Sequence, residues 1–274
     1  MRTSVAARVT QHTIAYLFAV VSLYPVFLMV ISSLKSTIEI FTHPLSLPSK
    51  VSFSAYKKLL GEMPFGTYFL NSVLTSTVSM ILILVCCTLA SYYIARTRYK
   101  WNGALLFLFL IGLMIPIKLG IVPLFLLMKD LGLSNTPWSL IMIYTAIGIP
   151  LGIMILSAFF RTLPKELEEA GRIDGCSDVQ ILRMIIIPLM RPALGTVMII
   201  NFVTAWNDFF FPLIFIQDTV MKTIPIGLMS LFGEYASDWS TLFAGLTLAS
   251  LPMILLFIFA SKQFMDGMTA GAVK

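Results

Sequence analysis

The groups able to do chemistry crowd into residues 164–188, where five acids (Glu166, Glu168, Glu169, Asp174 and Asp178) stand among basic residues, with apolar runs on both sides. Carboxylates at that density need water or cationic partners, so this stretch must lie outside lipid. Elsewhere the ionisable groups that matter are two charges inside apolar runs, Lys118 and Asp208. A charge within a membrane-length run is costly and is a functional candidate by default. Asp208 follows Asn201, Trp206 and Asn207 and precedes Phe209-Phe210-Phe211. Aromatic faces beside amide and carboxylate groups suit a sugar, whose C–H faces stack and whose hydroxyls hydrogen-bond. The plainer alternative is an aromatic belt at the outer interface with a snorkelling Lys118. His12 and His43 have no neighbouring ligand types, so no metal site is expected.

The elements that must position these groups are helices. Within the polar island, Pro164 suits the first helical position, and Glu166, Glu168 and Glu169 complement the positive end of the helix dipole. Asp174-Gly175 predicts a turn. Ser177 and Gln180 then have capping-box spacing for a second helix. Val179, Ile181, Leu182, Ile185 and Ile186 give that helix an apolar face, and Pro188 should end it. The island is thus a short helix–turn–helix at a membrane surface.

The spacing of this island resembles the EAA loop of ABC importer permeases, and most closely that of their maltose-type, carbohydrate branch. The residues that carry the likeness are Glu168-Glu169-Ala170-Gly171, then Arg172-Ile173-Asp174-Gly175, then Ile185, Ile187 and Pro188. Gly171 stands where the motif has a second alanine, and Ile187 where it has leucine. The resemblance implies that Glu168, Glu169, Ala170, Gly171, Asp174, Gly175 and Pro188 form a coupling loop, within residues 160–192, that docks into a separate ATPase. It further implies a paralogous permease subunit, two ATPase subunits holding ATP and Mg, an extracytoplasmic sugar-binding protein, and a carbohydrate cargo. The tail at 265–274 also resembles the family's ending, which in some members reaches the ATPase interface.

Composition fits a membrane protein. Of 274 residues 58% are hydrophobic and 12% charged, with a mean hydropathy of +0.92; soluble domains carry about 25% charge. Apolar runs at about 13–34, 69–95, 104–128, 137–160, 193–216 and 241–260 are each long enough to cross a bilayer. The expectation is an all-α transmembrane protein, a single permease domain over 1–274 with six helices. Pro116 and Pro123 interrupt the third run; counted residue by residue from 104 and from 193, Lys118 and Asp208 fall at equal depth, which leaves room for an ion pair or a shared water-filled cavity. Six spans put both termini and the island on one side. Twelve of the nineteen Lys and Arg fall on that side and six opposite, with Lys118 within a span. The richer side is the cytoplasmic one. The formal charge of +6 is therefore a mark of topology and not of nucleic-acid binding.

The chain has no G-x-x-x-x-G-K-[ST] phosphate loop, no His-Glu-x-x-His and no Gly-x-Ser-x-Gly. It is expected to be a non-enzymatic subunit that binds no cofactor of its own. An ion-coupled secondary transporter is the alternative, with Asp208 as its coupling carboxylate.

Overall fold

The computed structural model describes the backbone of residues 5–232 and 238–272, and side chains over 8–232 and 238–259. The side chains of the tail at 265–274 lie outside the described residues. In chain order the helices are α1 (Val5–Ser32), α2 (Thr37–Thr42), α3 (Ser54–Glu62), α4 (Phe65–Arg96), α5 (Asn102–Met114), α6 (Ile121–Asp130) and α7 (Pro137–Phe160). There follow α8 (Glu166–Ile173), α9 (Asp178–Leu189), α10 (Arg191–Trp206), α11 (Phe210–Phe215), α12 (Ile224–Met229) and α13 (Trp239–Ala272). The described residues contain no strand.

Among the described residues four helices are long and apolar enough to span a membrane by themselves, within α1, α4, α7 and α13, and the count reaches six if each of two bent pairs is one span. The first pair overturns the depth counted along the third run: its two helices, Asn102–Met114 and Ile117–Asp130, meet at 79°. Pro116 is the cause. It has no N–H to give the helix and forces Ile115 into extended backbone (φ −81°, ψ 118°). Lys118 lies beyond this bend in a 3-10 turn, so its depth does not follow from counting residues along one rod. The second pair, α9 and α10, meets at 76°.

The chain divides into two compact units, residues 1–66 with 227–251, and residues 67–226 with 252–274. In the first, Asp238 joins loop to helix. Its carboxylate accepts from the Thr241 N–H (3.1 Å), the Thr241 hydroxyl (2.9 Å) and Ser240 (3.1 Å), and pairs with Lys58 of α3 at 2.7 Å. Lys35 is buried and donates to the carbonyls of His43 and Pro44, closing the end of α2.

The second unit is built on α4, α7 and α10. Ser79 donates to the carbonyl of Ile141, Cys87 to Ile149 and Ser91 to Ile153, always 62 residues on. A constant offset means that α4 and α7 run parallel in register. Gly148 and Gly152, one turn apart on α7, allow the approach: a Cβ on Gly152 would lie 2.6 Å from Cys87 Sγ and 3.4 Å from Val197. Small residues at this spacing let helices meet closely where lipid offers no hydrophobic drive to pack them.

Candidate functional site

The polar island folds as two helical pieces around a tight turn. α8 starts at Glu166 with Lys165 as N-cap, so Pro164 precedes the helix instead of opening it. Three acids in its first turn face the positive end of the dipole. Its far end is a Schellman closure, with Cys176 N–H donating to the Gly171 carbonyl (2.9 Å) and Gly175 N–H to Arg172 (3.1 Å). Gly175 takes φ +82°, a backbone that side chains resist. Ser177 and Gln180 form the expected capping box at the start of α9.

Two expectations for α9 need correcting. Pro188 does not end the helix, which continues to Leu189; instead residues Ile181–Ile186 widen into a π turn. Proline cannot donate to the carbonyl four residues back and its ring crowds that carbonyl, and a π turn just before it lets Ile187 N–H reach Leu182 instead. Val179 is 73% exposed and lies off the packed face, which Ile181 and Ile186 form with support from Leu182 and Ile185.

Burial sorts the residues expected to form a coupling loop into two faces. Glu169, Ala170, Asp174, Gly175 and Pro188 are exposed, and beside them Ile173 stands 86% exposed. Glu168 and Gly171 point the other way and are buried. A Cβ on Gly171 would touch Ile185 Cδ1 at 2.9 Å and Ile181 Cγ1 at 3.0 Å, so this glycine serves packing of α8 on the π turn and not a partner's approach. Glu168 pairs with Arg96 at the end of α4, with Nε and Oε1 2.5 Å apart but without hydrogen-bond alignment. Its second oxygen accepts from Tyr92 at 3.2 Å. Arg96 also donates to the Leu163 carbonyl at 3.1 Å. Sequence reasoning missed this cluster, because Arg96 reads as a topology charge and Tyr92 as a belt residue. No spacing rule links residue 96 to residue 168.

The residues proposed for a pathway come together only in part. α10 ends at Trp206, short of the expected Ile216, and Asp208 occupies the break before α11. Its carboxylate accepts from the Tyr144 hydroxyl (2.9 Å) and from the N–H groups of Phe210 (3.3 Å) and Phe211 (3.1 Å). It is a helix cap. Lys118 is not paired with it; the ammonium lies over the Phe210 ring, 4.9 Å from the centroid. Trp206 is buried, stacked on Phe202 (5.6 Å) and edge-on to Phe69 (5.8 Å). Asn207 is exposed. Asn201 donates to the Val197 carbonyl of its own helix at 2.8 Å. Tyr144 was missed, and a tyrosine inside an apolar span is itself a signal, since its hydroxyl needs a partner.

Residues 87–268 match the family described as binding-protein-dependent transport system inner membrane components. The chain belongs to this family. It is 36% identical over 259 residues to a probable ABC transporter permease, YurM, of Bacillus subtilis, covering 94% of this chain and 86% of that one. It is 33% identical to the melibiose/raffinose/stachyose import permease MelC of the same species, over 95% of each chain. A crystal structure of a bacterial ABC transporter involved in alginate import contains a chain of the same fold, with a TM-score of 0.81 and 22% identity over 96% of this chain and 99% of that one. This inner-membrane component therefore carries its polar island inside the matched region.

Proposed function

We propose that this permease is one of two paired membrane subunits through which a carbohydrate, of oligosaccharide size, enters the cell at the expense of ATP hydrolysed by separate subunits. The observation that carries the reading is the two-faced island: Glu168 and Gly171 are held against the chain's own helices while Glu169, Ala170, Ile173 and Asp174 stand free. A docking peg needs that division. The island and both termini face the cytoplasm in this reading, in keeping with the bias of Lys and Arg. ATP and Mg belong to two ATPase subunits that grip the open face, and an extracytoplasmic sugar-binding protein delivers the cargo at the opposite side. The cargo class follows from relatives named for sugars, among them MelC and an arabinooligosaccharide permease, AraQ, of Halalkalibacterium halodurans that is 33% identical. Asp208, the carboxylate an ion-coupled carrier would use, already accepts three hydrogen bonds.

The test is uptake of labelled oligosaccharide into proteoliposomes holding the permease pair and the ATPase, with ATP inside and binding protein outside. Uptake should require all of them. Glu169→Lys should insert normally and lose capture of the ATPase. Uptake driven by an ion gradient with no ATPase present would overturn the proposal.

A further inference from the structure

The open face of the island explains how a partner is held but not how its movement enters the membrane. Three helical segments converge on one buried pair. Arg96 lies in the last turn of α4, Glu168 in the first turn of α8, and the Leu163 carbonyl just beyond the end of α7. The Arg96 and Glu168 side chains are 8% and 5% exposed. We propose that the Arg96–Glu168 pair is the joint through which movement of the coupling helix is delivered to the second span, which makes both of them positioning residues for transport. The proposal rests on reading residues 160–192 as the ATPase-docking loop.

The chemistry favours a joint over mere packing. Burying two charges costs desolvation, and apolar side chains of equal volume would fix α8 to α4 without that cost. What the charged pair adds is a tie among three segments at once. Glu168 spends one oxygen on Arg96 and the other on Tyr92, one turn earlier on α4. Arg96 in turn holds the exit of α7 through Leu163. Each charge also complements the helix end on which it sits, positive at the C-terminus of α4 and negative at the N-terminus of α8. A push on the Glu169 side of α8 therefore meets the α4 end through a short ion pair and the hydrogen bond from Tyr92. From there α4 is in register with α7 through Ser79, Cys87 and Ser91, and Gly152 of α7 lies against both Cys87 of α4 and Val197 of α10. Coupling of this kind needs a contiguous physical path.

The experiment uses the assembled complex and reads three quantities: ATPase copurified with the permease, ATP hydrolysed, and sugar transported. Glu168→Gln and Arg96→Gln should retain the ATPase while sugar moved per ATP falls about tenfold, the size of an ordinary coupling factor. The exchanged pair, Arg96→Glu with Glu168→Arg, should recover part of the ratio, because it restores the ion pair but not the Leu163 bond or the helix-end complements, whereas a loss of packing would recover none. Should Glu168→Gln fail to accumulate, Arg96→Lys, which keeps the charge but loses the reach to Leu163, is measured against the same criterion. An unchanged ratio in these variants overturns the joint and leaves the docking reading standing. So does a proportional loss of assembly, hydrolysis and transport together. A wild-type permease that captures no ATPase takes down both.

Discussion

Asn201 rests its amide oxygen on the bare face of Gly148, so that a Cβ added there would collide with it and with Ile83 Cδ1. Three helices, α4, α7 and α10, meet at that point. The amide is not spent on binding across the seam, because its NH₂ turns back to the Val197 carbonyl at 2.8 Å.

Gly148→Ala should therefore destabilise the protein by about 1–3 kcal/mol, the usual cost of overpacking a filled core. Removing the obstructing amide in the double variant Gly148→Ala/Asn201→Ala should recover only part, since Ile83 still blocks the new methyl. The measurement is thermal unfolding in detergent. An unchanged midpoint for Gly148→Ala would show that the seam is looser than described.

Gly171 and Gly175 look alike in sequence and differ in physics. Gly175 needs its positive φ for the Schellman closure, so Gly175→Ala should cost about 1 kcal/mol of strain. Gly171 is in helical backbone, and an added methyl would meet Ile185 Cδ1, a chain end, at 2.9 Å and the inner Cγ1 of buried Ile181 at 3.0 Å. There alanine gains about 1 kcal/mol of helix propensity against that crowding, and the two nearly cancel. Gly171→Ala should leave the unfolding midpoint within a degree or two while Gly175→Ala lowers it. The reverse order would refute the assignment.

That contrast marks what was legible in the sequence. Local signals read true: the Asp174-Gly175 turn, the Ser177–Gln180 box and four of the membrane-length runs. The rest needed distance information that local pattern lacks. Pro116 marks a break but not its 79° angle, so depth counted along a straight span failed for Lys118. Glu168 and Glu169 are adjacent acids, and only the position of Arg96 sends one inward and the other to solvent. The motif reads both as coupling residues because sequence records type and spacing, not facing.

Asp208 closes the N-terminal end of α11, and its variants should behave as cap variants do. Asp208→Ala removes the acceptor for two backbone N–H groups and for Tyr144, at about 1–2 kcal/mol. Asp208→Asn keeps an acceptor oxygen and should retain most of the stability. Lys118→Met gives up an ammonium–ring contact worth about 1 kcal/mol or less. Unfolding midpoints should thus fall in the order Asp208→Ala, then Lys118→Met and Asp208→Asn. A normal midpoint for Asp208→Ala together with lost transport would return this carboxylate to the pathway.

The Lys58–Asp238 pair carries a pH dependence whose sign is fixed by its hydrogen bonds. Burial alone would raise the Asp238 carboxyl, but the Lys58 ammonium and donors on Thr241 and Ser240 outweigh it and hold it at about 2, against an ordinary 3.8. Bonding to Asp238 raises Lys58 above its ordinary 10.5. A depressed carboxyl stabilises the fold above its unfolded value and loses that contribution as pH falls through its folded one. A raised ammonium does the opposite, contributing fully below its unfolded value and losing it as pH climbs through the raised one. The pair is therefore at full strength from about pH 4 to pH 10 and weakens outside that window. Screening at this partly exposed site limits the Asp238 share to about 1 kcal/mol. Titration of ¹³C-labelled aspartate carboxyls should find Asp238 near 2, and Lys58→Met should shift its midpoint upward by part of the difference, because Thr241 and Ser240 still donate. A midpoint that ignores Lys58→Met would mean that the helix cap alone holds the charge, and the tie between α3 and the start of α13 would carry no electrostatic weight.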